Sequence, residues 1–369
     1  MELHTEINLW SEDTTQPYSP NSSSLSEEEI RRCRIYYCSV RVVLGGLLFV
    51  FGIIGNMLTI LVMRAVPRRS ATIRALLFLA AADIFVIVQY GVMAVSVPLL
   101  GLLKMPSRTA QLALLRYAMP TGQIVNLISV FITVIVTWQR YISVCLPHKT
   151  HYLGSSFMVN SQVLFITVGS ILFHLPMYFQ DEYISIDGSA NLVKRAFAKR
   201  ASYSIFYSVV LVHLIRYFLP ITLLIYMAYG LLKELGKSKP MIRIVDSSRQ
   251  RAKLELTVSL IVVVIVFIIC HSFAPSRQVL MLIYEPYSQA IQCGGTLFYF
   301  GPLDLISILI NSSSNFLIFV VCAKGFRKRL IILCCKRKIA NPNPTLDVDP
   351  ENTHQGHKME TFNGDGSMV

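Results

Sequence analysis

Long apolar stretches dominate residues 40–322, and charged residues are mostly confined to the segments between them. Seven stretches stand out: between Arg41 and Arg64, between Arg74 and Lys104, between Arg116 and Arg140, from Tyr152 to Gln180, from Ala201 to Leu232, between Glu255 and Arg277, and from about Leu297 to Cys322. Each exceeds the roughly 20 residues that a helix needs to cross about 30 Å of hydrocarbon. The pattern predicts an all-α membrane protein, a bundle of seven transmembrane helices.

The flanking segments differ from the bundle in composition. In residues 1–39, the first thirty positions are rich in polar and acidic side chains and contain no Lys or Arg, which indicates an extracellular tail. Residues 323–338 alternate basic with apolar side chains and predict an amphipathic eighth helix against the membrane lipids. Residues 339–369 are rich in Asn, Pro, Gly and Asp, and we expect a disordered cytoplasmic tail.

Composition and charge support a membrane protein and give its orientation. Of the 369 residues, 53% are hydrophobic and only 15% are charged, whereas soluble domains average about 25% charged residues. The net charge of +13 does not point to nucleic acid, because Lys and Arg cluster at the ends of apolar runs. That clustering is typical of cytoplasmic loops. It predicts a plasma-membrane protein with an extracellular N-terminus and a cytoplasmic C-terminus.

Polar residues inside the apolar runs suggest an ion site. Asp83 interrupts the second run, and carboxylates at such depth usually face the bundle interior. Side chains spaced three, four or seven positions apart share one helical face. The candidate sodium ligands are Asp83, Ser129, Asn311, Ser312 and Asn315. The alternative is a neutral hydrogen-bonded cluster that contains water and a protonated Asp83. No other cofactor is expected.

Four short motifs occur in order in these runs: Gly55-Asn56, Leu79-Ala-Ala-Ala-Asp83, Gln139-Arg140-Tyr141 and Asn315-Phe-Leu-Ile-Phe319. Together they resemble the rhodopsin-like, or class A, G-protein-coupled receptors over residues 40–335. The resemblance implies that a ligand binds among the outer helix ends and that a heterotrimeric G protein docks near Arg140. The residues it implies for coupling and activation are Gln139, Arg140, Tyr141, Asn315 and Phe319.

The chain also departs from that family. Gln139 replaces the usual acid before the arginine, so we expect a weaker resting contact and higher ligand-free signalling, unless Glu255 takes over the role. Leu115 and the loop 180–201 lack the usual cysteines. The segment Phe267-x-x-Cys270-His271-Ser272 and the later Tyr284-Glu285 resemble invertebrate receptors for FMRFamide-type peptides. The seventh run and the Gln-Arg-Tyr triplet fit the related sex-peptide and myosuppressin branches. The ligand implied is an FMRFamide-like amidated neuropeptide.

Polar and aromatic side chains at suitable depth form the candidate ligand pocket. Its members are Gln123, Asn126, His213, Arg216, His271, Arg277, Tyr284, Glu285 and Asp304. Asp304 or Glu285 offers an acid to the arginine of such a peptide. Arg216 and Arg277 favour an acidic peptide or a backbone carbonyl instead. A second interpretation of Arg216 is that it is the internal partner of Asp304. A second interpretation of His213 is that it is a packing residue.

Cysteines and short motifs predict covalent modifications. Cys33, Cys38 and Cys293 are expected outside, where disulfides persist. In the implied fold, span one neighbours span seven, so we predict that Cys293 pairs with Cys33 or Cys38, with a Cys33–Cys38 bond as the competing outcome. Further predictions concern palmitoylation at Cys334 and Cys335, glycosylation at Asn21, and a PDZ ligand at Ser367–Val369.

Other function classes have less support. The chain lacks the GxSxG and HExxH motifs and a Gly-rich phosphate loop, so we do not expect an enzyme. No lysine lies between Lys253 and Lys324 to hold retinal. Two alternatives stay open: a seven-helix chemosensory receptor or channel that does not couple to G proteins, and a G-protein-coupled receptor for a small non-peptide ligand. An amine ligand would need an acid near Gln123 and Asn126, and none is present there.

Overall fold

The computed structural model describes residues 26–66, 70–102, 108–186, 189–242, 248–283, 293, 295 and 297–335. Within them, seven helical segments are long and apolar enough to cross a membrane. Spans 1 to 7 are Glu27–Arg64, Ala71–Ala94, Arg116–Cys145, Ser156–Phe179, Ser202–Lys237, Leu254–Ser276 and Phe298–Cys322. The seven-helix prediction is confirmed, and the chain is a multi-pass membrane protein.

The individual elements follow these spans. The α-helices are Glu27–Tyr37, Gly45–Arg64, Ala71–Leu102, Arg108–Cys145, Thr150–Leu153, Ser156–His174, Ala196–Lys199, Leu219–Ile242, Ser248–His271, Phe273–Ile283, Leu303–Cys322 and Lys324–Cys335. Short 3₁₀ turns occupy Pro147–Lys149, Leu175–Phe179 and Phe298–Phe300. Spans 1 and 5 contain wider π-helical segments at Cys38–Leu44, Ser202–Leu211 and Leu214–Phe218.

Span 1 begins earlier than its apolar run. Ser26 and Glu29 form a capping box, in which Ser26 Oγ accepts from the Glu29 backbone N–H at 3.3 Å. The Ser26 backbone N–H in turn donates to Glu29 Oε2 at 2.9 Å. These two bonds satisfy backbone donors that a helix start leaves open. The helix therefore starts at Glu27, and residues 27–39 are not part of an extended tail.

Close packing of small residues joins span 1 to span 7. A Cβ atom added at Gly52 would lie 2.4 Å from Ser313 Oγ, and one at Gly55 would lie 2.9 Å from Phe316 Cβ. Asn56 Nδ2 donates to the Ser312 carbonyl at 3.0 Å. Within a membrane, helices associate through such van der Waals contacts and polar bonds, because the lipid chains provide no hydrophobic driving force between them. These contacts fix the rotation of span 7.

A β-hairpin interrupts the otherwise helical architecture. Strands Asp181–Ile186 and Ser189–Lys194 pair antiparallel, with Asp181 opposite Lys194. The guanidinium of Arg116, at the start of span 3, lies 4.9 Å from the centre of the Tyr183 ring. Burial raises the pKa of Tyr183, and Arg116 acts in the opposite direction. The all-α prediction describes the bundle and misses this hairpin. The hairpin contacts span 3 through Arg116.

The helix Lys324–Cys335 follows span 7 directly. Its Phe326 packs 5.8 Å from Phe319, measured between ring centroids. The Gly325 backbone N–H donates to Glu255 Oε2 of span 6 at 3.2 Å. The helix therefore contacts the bundle at the same end as Arg140. Its position on the membrane surface stays a prediction, and residues 336–338 lie outside the described part.

Candidate functional site

The two ends of the bundle carry different groups. We call the end with the β-hairpin the hairpin end, and the opposite one the Arg140 end. At the Arg140 end, Arg140 Nε donates to Thr257 Oγ1 at 2.7 Å. Arg140 is 5% exposed and Thr257 is 1% exposed. This buried bond joins span 3 directly to span 6.

Gln139 does not take the place of the missing acid. Its Nε2 donates to the Leu153 carbonyl at 3.3 Å, and Gln162 Oε1 lies 3.5 Å away. Gln139 therefore joins span 3 to the following loop and span 4. Span 6 instead supplies Thr257, whose hydroxyl accepts from Arg140. Glu255, the other candidate, accepts from Gly325.

Tyr141 connects span 3 to span 5 at the same end. Its ring stacks on Trp138 at 5.9 Å and lies 6.0 Å from the Tyr226 ring. A Cβ atom added at Gly230 would lie only 2.5 Å from Tyr141 Cε2. The Tyr141 ring therefore packs directly against the backbone of Gly230, where a side chain would not fit. Phe319 is fully buried beside Phe326. Tyr141 thus packs against span 5, and Phe319 packs against the helix that follows span 7.

The Asp83 cluster forms in the middle of the bundle. Asp83 is fully buried. Its Oδ1 accepts from Ser129 Oγ and its Oδ2 accepts from Asn315 Nδ2, both at 2.7 Å. The side chain of Ser312 is buried close to this carboxyl group. Asn311 lies one turn before Asn315 on the same helix, and it is buried. Spans 2, 3 and 7 therefore meet at one carboxylate.

The oxygen atoms around Asp83 match only part of the ligand set that a hard cation needs. The carboxylate oxygens and the hydroxyl oxygens of Ser129 and Ser312 are the ligand type that alkali and alkaline-earth ions take. Asn315 presents its amide nitrogen to Asp83, so its oxygen is turned away from the carboxylate. Asp83, Ser129 and Ser312 are the residues that would hold sodium, and Asn315 orients the carboxylate.

A buried cation lies nearer the hairpin end. Arg216 belongs to the π-helical segment Leu214–Phe218 and is 7% exposed. Its Nη2 donates to Tyr90 Oη at 3.3 Å, and its guanidinium carbon lies 5.4 Å from the centre of the Tyr217 ring. Asp304 interacts with Arg216 electrostatically. The direct hydrogen-bond partner of Arg216 is therefore the Tyr90 hydroxyl, and its pairing with an internal acid stays a prediction.

Histidines surround this cation. The His271 ring stacks on Phe267 at 4.0 Å, and its Nδ1 donates to the Phe267 carbonyl at 3.2 Å. His174 Nδ1 donates to the Ser170 carbonyl at 3.0 Å. His213 Nδ1 lies 2.7 Å from the Val209 carbonyl. Each ring is fixed by its own helix, so the position of Nε2 is set by the backbone.

Three nitrogen atoms in this region have no hydrogen-bond partner in the part of the chain that the structure describes: Arg216 Nε, His174 Nε2 and His271 Nε2. A buried polar atom left without a partner costs about 1–3 kcal/mol. Such groups in a native protein require an explanation, and a bound ligand or water is a common one. The region around Arg216 is therefore the candidate ligand site.

The predicted pocket residues are only partly brought together. Arg216, His271 and Asp304 lie in one region, with His213 contacting Tyr217. Asn126 is buried and Gln123 is half-buried on span 3. The side chain of Arg277, and Tyr284 and Glu285 altogether, lie outside the described part. Sequence reasoning missed Tyr90 and Tyr217, because an aromatic residue in an apolar run carries no sign of its polar partner.

The chain is similar to two receptors for FMRFamide-type peptides. No family model matches the chain. The FMRFamide receptor of Drosophila melanogaster is 23% identical over 381 residues, which cover 97% of this chain and 64% of that receptor. The FMRFamide peptide receptor frpr-18 of Caenorhabditis elegans is 21% identical over 301 residues, which cover 77% of this chain and 67% of that receptor. The chain thus spans somewhat less than two thirds of the length of the first relative.

The chain resembles FMRFamide receptors, and its seven spans fit the rhodopsin-like architecture. This confirms the resemblance inferred from the motifs, since both relatives carry that name and the structure has seven spans. The two matches do not favour a seven-helix chemosensory receptor or channel that does not couple to G proteins, nor a receptor for a small non-peptide ligand.

The hairpin end of the receptor is linked covalently. Cys33 and Cys293 form a disulfide with a Cα–Cα distance of 5.8 Å, and Cys38 keeps a free thiol. Tyr36 Oη donates to the Tyr299 carbonyl at 2.7 Å in the same contact. Of the pairings left open by the sequence, the structure has Cys33 with Cys293. The first turns of span 1 are thus fastened to the segment before span 7.

Proposed function

We propose that the receptor binds an extracellular, FMRFamide-like amidated neuropeptide at the hairpin end and signals to a heterotrimeric G protein at the Arg140 end. The observation that carries the proposal is the buried bond between Arg140 and Thr257. It holds spans 3 and 6 together where the class A resemblance implies G-protein docking. The names of the two relatives support the ligand class.

The mechanism is a population shift between a closed and an open bundle. A ligand changes the equilibrium only by the difference between its affinities for the two states. In the closed state Thr257 covers Arg140, and Glu255 contacts the helix after span 7. Outward movement of span 6 breaks both bonds and uncovers Arg140. A peptide that binds the open state more tightly therefore exposes the G-protein surface.

The proposal includes the placement and modification of the chain. The basic loops support a plasma-membrane location with the hairpin end outside. The exposed thiol of Cys334 and the adjacent Cys335 suit palmitoylation at the inner surface. Asn21, the side chain of Cys335 and the Ser367–Val369 terminus lie outside the described part. The oxygen ligands at Asp83 support a sodium ion that favours the closed state.

The experiment measures G-protein activation in cells that express the full chain. A library of amidated peptides, including Phe-Met-Arg-Phe-amide, is applied while nucleotide exchange on a co-expressed G protein is recorded. We expect at least one amidated peptide to activate the wild type and the Arg140→Ala variant to be silent at equal surface expression. A response that persists in the Arg140→Ala variant, or an ionic current without nucleotide exchange, would contradict the proposal.

A further inference from the structure

The proposed function does not explain why three buried nitrogen atoms around Arg216 lack partners. Arg216 is 7% exposed, His271 is 3% exposed and His174 is fully buried. Within the described residues, the open positions are Arg216 Nε, His271 Nε2 and His174 Nε2. The Tyr217 ring lies 5.4 Å from the Arg216 guanidinium carbon and 6.5 Å from the centre of the His271 ring, so Arg216 and His271 belong to one region.

The open positions have defined hydrogen-bonding characters. Arg216 Nε carries a hydrogen and can only donate. His271 Nδ1 bonds to the Phe267 carbonyl, which only accepts, so Nδ1 carries the ring hydrogen. In the neutral ring, Nε2 is then an acceptor. The region therefore offers one donor and one acceptor to a group that lies between Arg216 and His271.

A primary carboxamide matches this pair. Its carbonyl oxygen accepts one hydrogen bond, and its NH₂ group donates. A carboxylate accepts only, so it would leave the acceptor at His271 unsatisfied. Asp304 already acts on the charge of Arg216, and an added carboxylate would bring an uncompensated charge into a buried site. The pattern thus favours a neutral amide over an acid.

The position of the region allows access from the hairpin end. Tyr90, the partner of Arg216, lies two helical turns beyond Asp83 in the direction of that end. Gln123, His213 and Asp304 are half-buried rather than buried. Arg216 and His271 are therefore more deeply buried than the other polar side chains of this region.

We propose that Arg216 and His271 form the subsite for the C-terminal carboxamide of the peptide. Arg216 Nε–H donates to the carboxamide oxygen, and the carboxamide NH₂ donates to His271 Nε2. The inference rests on the proposed function and assigns one chemical group of the ligand to two side chains. It makes these residues the determinants of selectivity for amidated peptides.

The test compares three forms of one peptide on full-length receptor in cells. The first is Phe-Met-Arg-Phe-amide. The second is its methyl ester, which keeps the carbonyl and loses the N–H donors. The third is Phe-Met-Arg-(2-phenylethyl)amide, which lacks the terminal carboxamide altogether. Half-maximal concentrations for G-protein activation are measured for wild type, Arg216→Gln, His271→Phe and Thr222→Val. Thr222 lies on the outward face of span 5 and serves as the matched control.

The expected results are ratios of half-maximal concentrations between peptides. A residue with only a structural role would change the potency of all three peptides alike and leave these ratios unchanged. One lost hydrogen bond corresponds to about a 10-fold change in potency. We expect His271→Phe, which keeps the ring against Phe267, to reduce the amide-to-ester ratio about 10-fold. Arg216→Gln should reduce the ratio of the amide to the form without a carboxamide by about 10-fold or more. Thr222→Val should leave both ratios unchanged.

The outcomes separate this inference from the proposed function. Equal loss of potency for all three peptides in both variants overturns the subsite, as does a wild type that responds equally to the amide and the methyl ester. If Arg216→Gln does not reach the cell surface, the amide-to-ester ratio of His271→Phe decides alone. Silence of the wild type toward every peptide contradicts the proposed function as well. A response with unchanged ratios contradicts only the inference.

Discussion

Replacement of Thr257 by valine should raise the ligand-free activity of the receptor. Valine keeps the shape of threonine and removes the oxygen that accepts from Arg140 Nε at 2.7 Å. Both residues are buried, so water does not readily replace the lost acceptor. The change weakens the closed state specifically, because the open state separates spans 3 and 6.

The magnitude follows from the type of bond. A hydrogen bond to a charged group contributes about 1.5–3 kcal/mol net. Arg140 keeps other interactions, so we take about 1–2 kcal/mol for the difference between the states. Since about 1.4 kcal/mol is a factor of ten, the open-to-closed ratio should rise about 5- to 30-fold. A receptor that is about 1% open at rest would become about 5–25% open.

The assay is nucleotide exchange on a co-expressed G protein without peptide, normalised to surface expression. Thr257→Ser is the matched control, because it keeps the hydroxyl and loses only a methyl group. We expect the serine variant to behave like wild type and the valine variant to signal several-fold more. Equal ligand-free activity in the valine variant and wild type would refute the role of this bond. So would a serine variant as active as the valine variant.

Three further predictions concern other parts of the bundle. The Gln139→Asp substitution should leave ligand-free signalling within about two-fold of wild type, because the side chain at this position is directed to Leu153 and Gln162 and not to Arg140. A strong decrease would restore the sequence-based expectation that an acid here locks the receptor. The Asp83→Asn substitution should abolish any sodium dependence of peptide affinity, and a wild type insensitive to sodium would remove the ion site. The Cys33→Ser and Cys293→Ser variants should lose the same disulfide in non-reduced peptide maps and show lower thermal stability; a Cys293 thiol that is free in wild type would contradict the link.

The sequence alone determined the number and approximate limits of the spans. The lipid interior forces each crossing segment to satisfy its own backbone bonds, so an apolar run of sufficient length must be a helix. This is a local rule, and it located all seven spans to within a few residues for most of their ends. The motifs around Asp83, Arg140 and Asn315 likewise identified the receptor class, since they lie at the expected depths.

The start of span 1 was also encoded locally but was assigned to the tail. Ser26 followed by Glu29 is the pattern of a capping box, and three consecutive glutamates stabilise the first turn of a helix. The negative charge of these glutamates was interpreted as a sign of a solvated tail rather than of a helix start. The choice between Cys33 and Cys38 depended on this helix, because residues five positions apart point to different sides of it. An extended tail would not distinguish the two thiols.

The partners of the buried polar groups were decided by tertiary structure. The Thr257 hydroxyl accepts a hydrogen bond from Arg140, which is 117 positions away in the sequence. The Tyr90 hydroxyl accepts one from Arg216, which is 126 positions away. A hydroxyl on an apolar helix carries no sign of its partner, because rotation of that helix sets the direction in which it points. The π-helical segment around Arg216 shifts that rotation further. Helix existence is thus a property of the local sequence, whereas the contacts that define the site arise only when the spans are packed together.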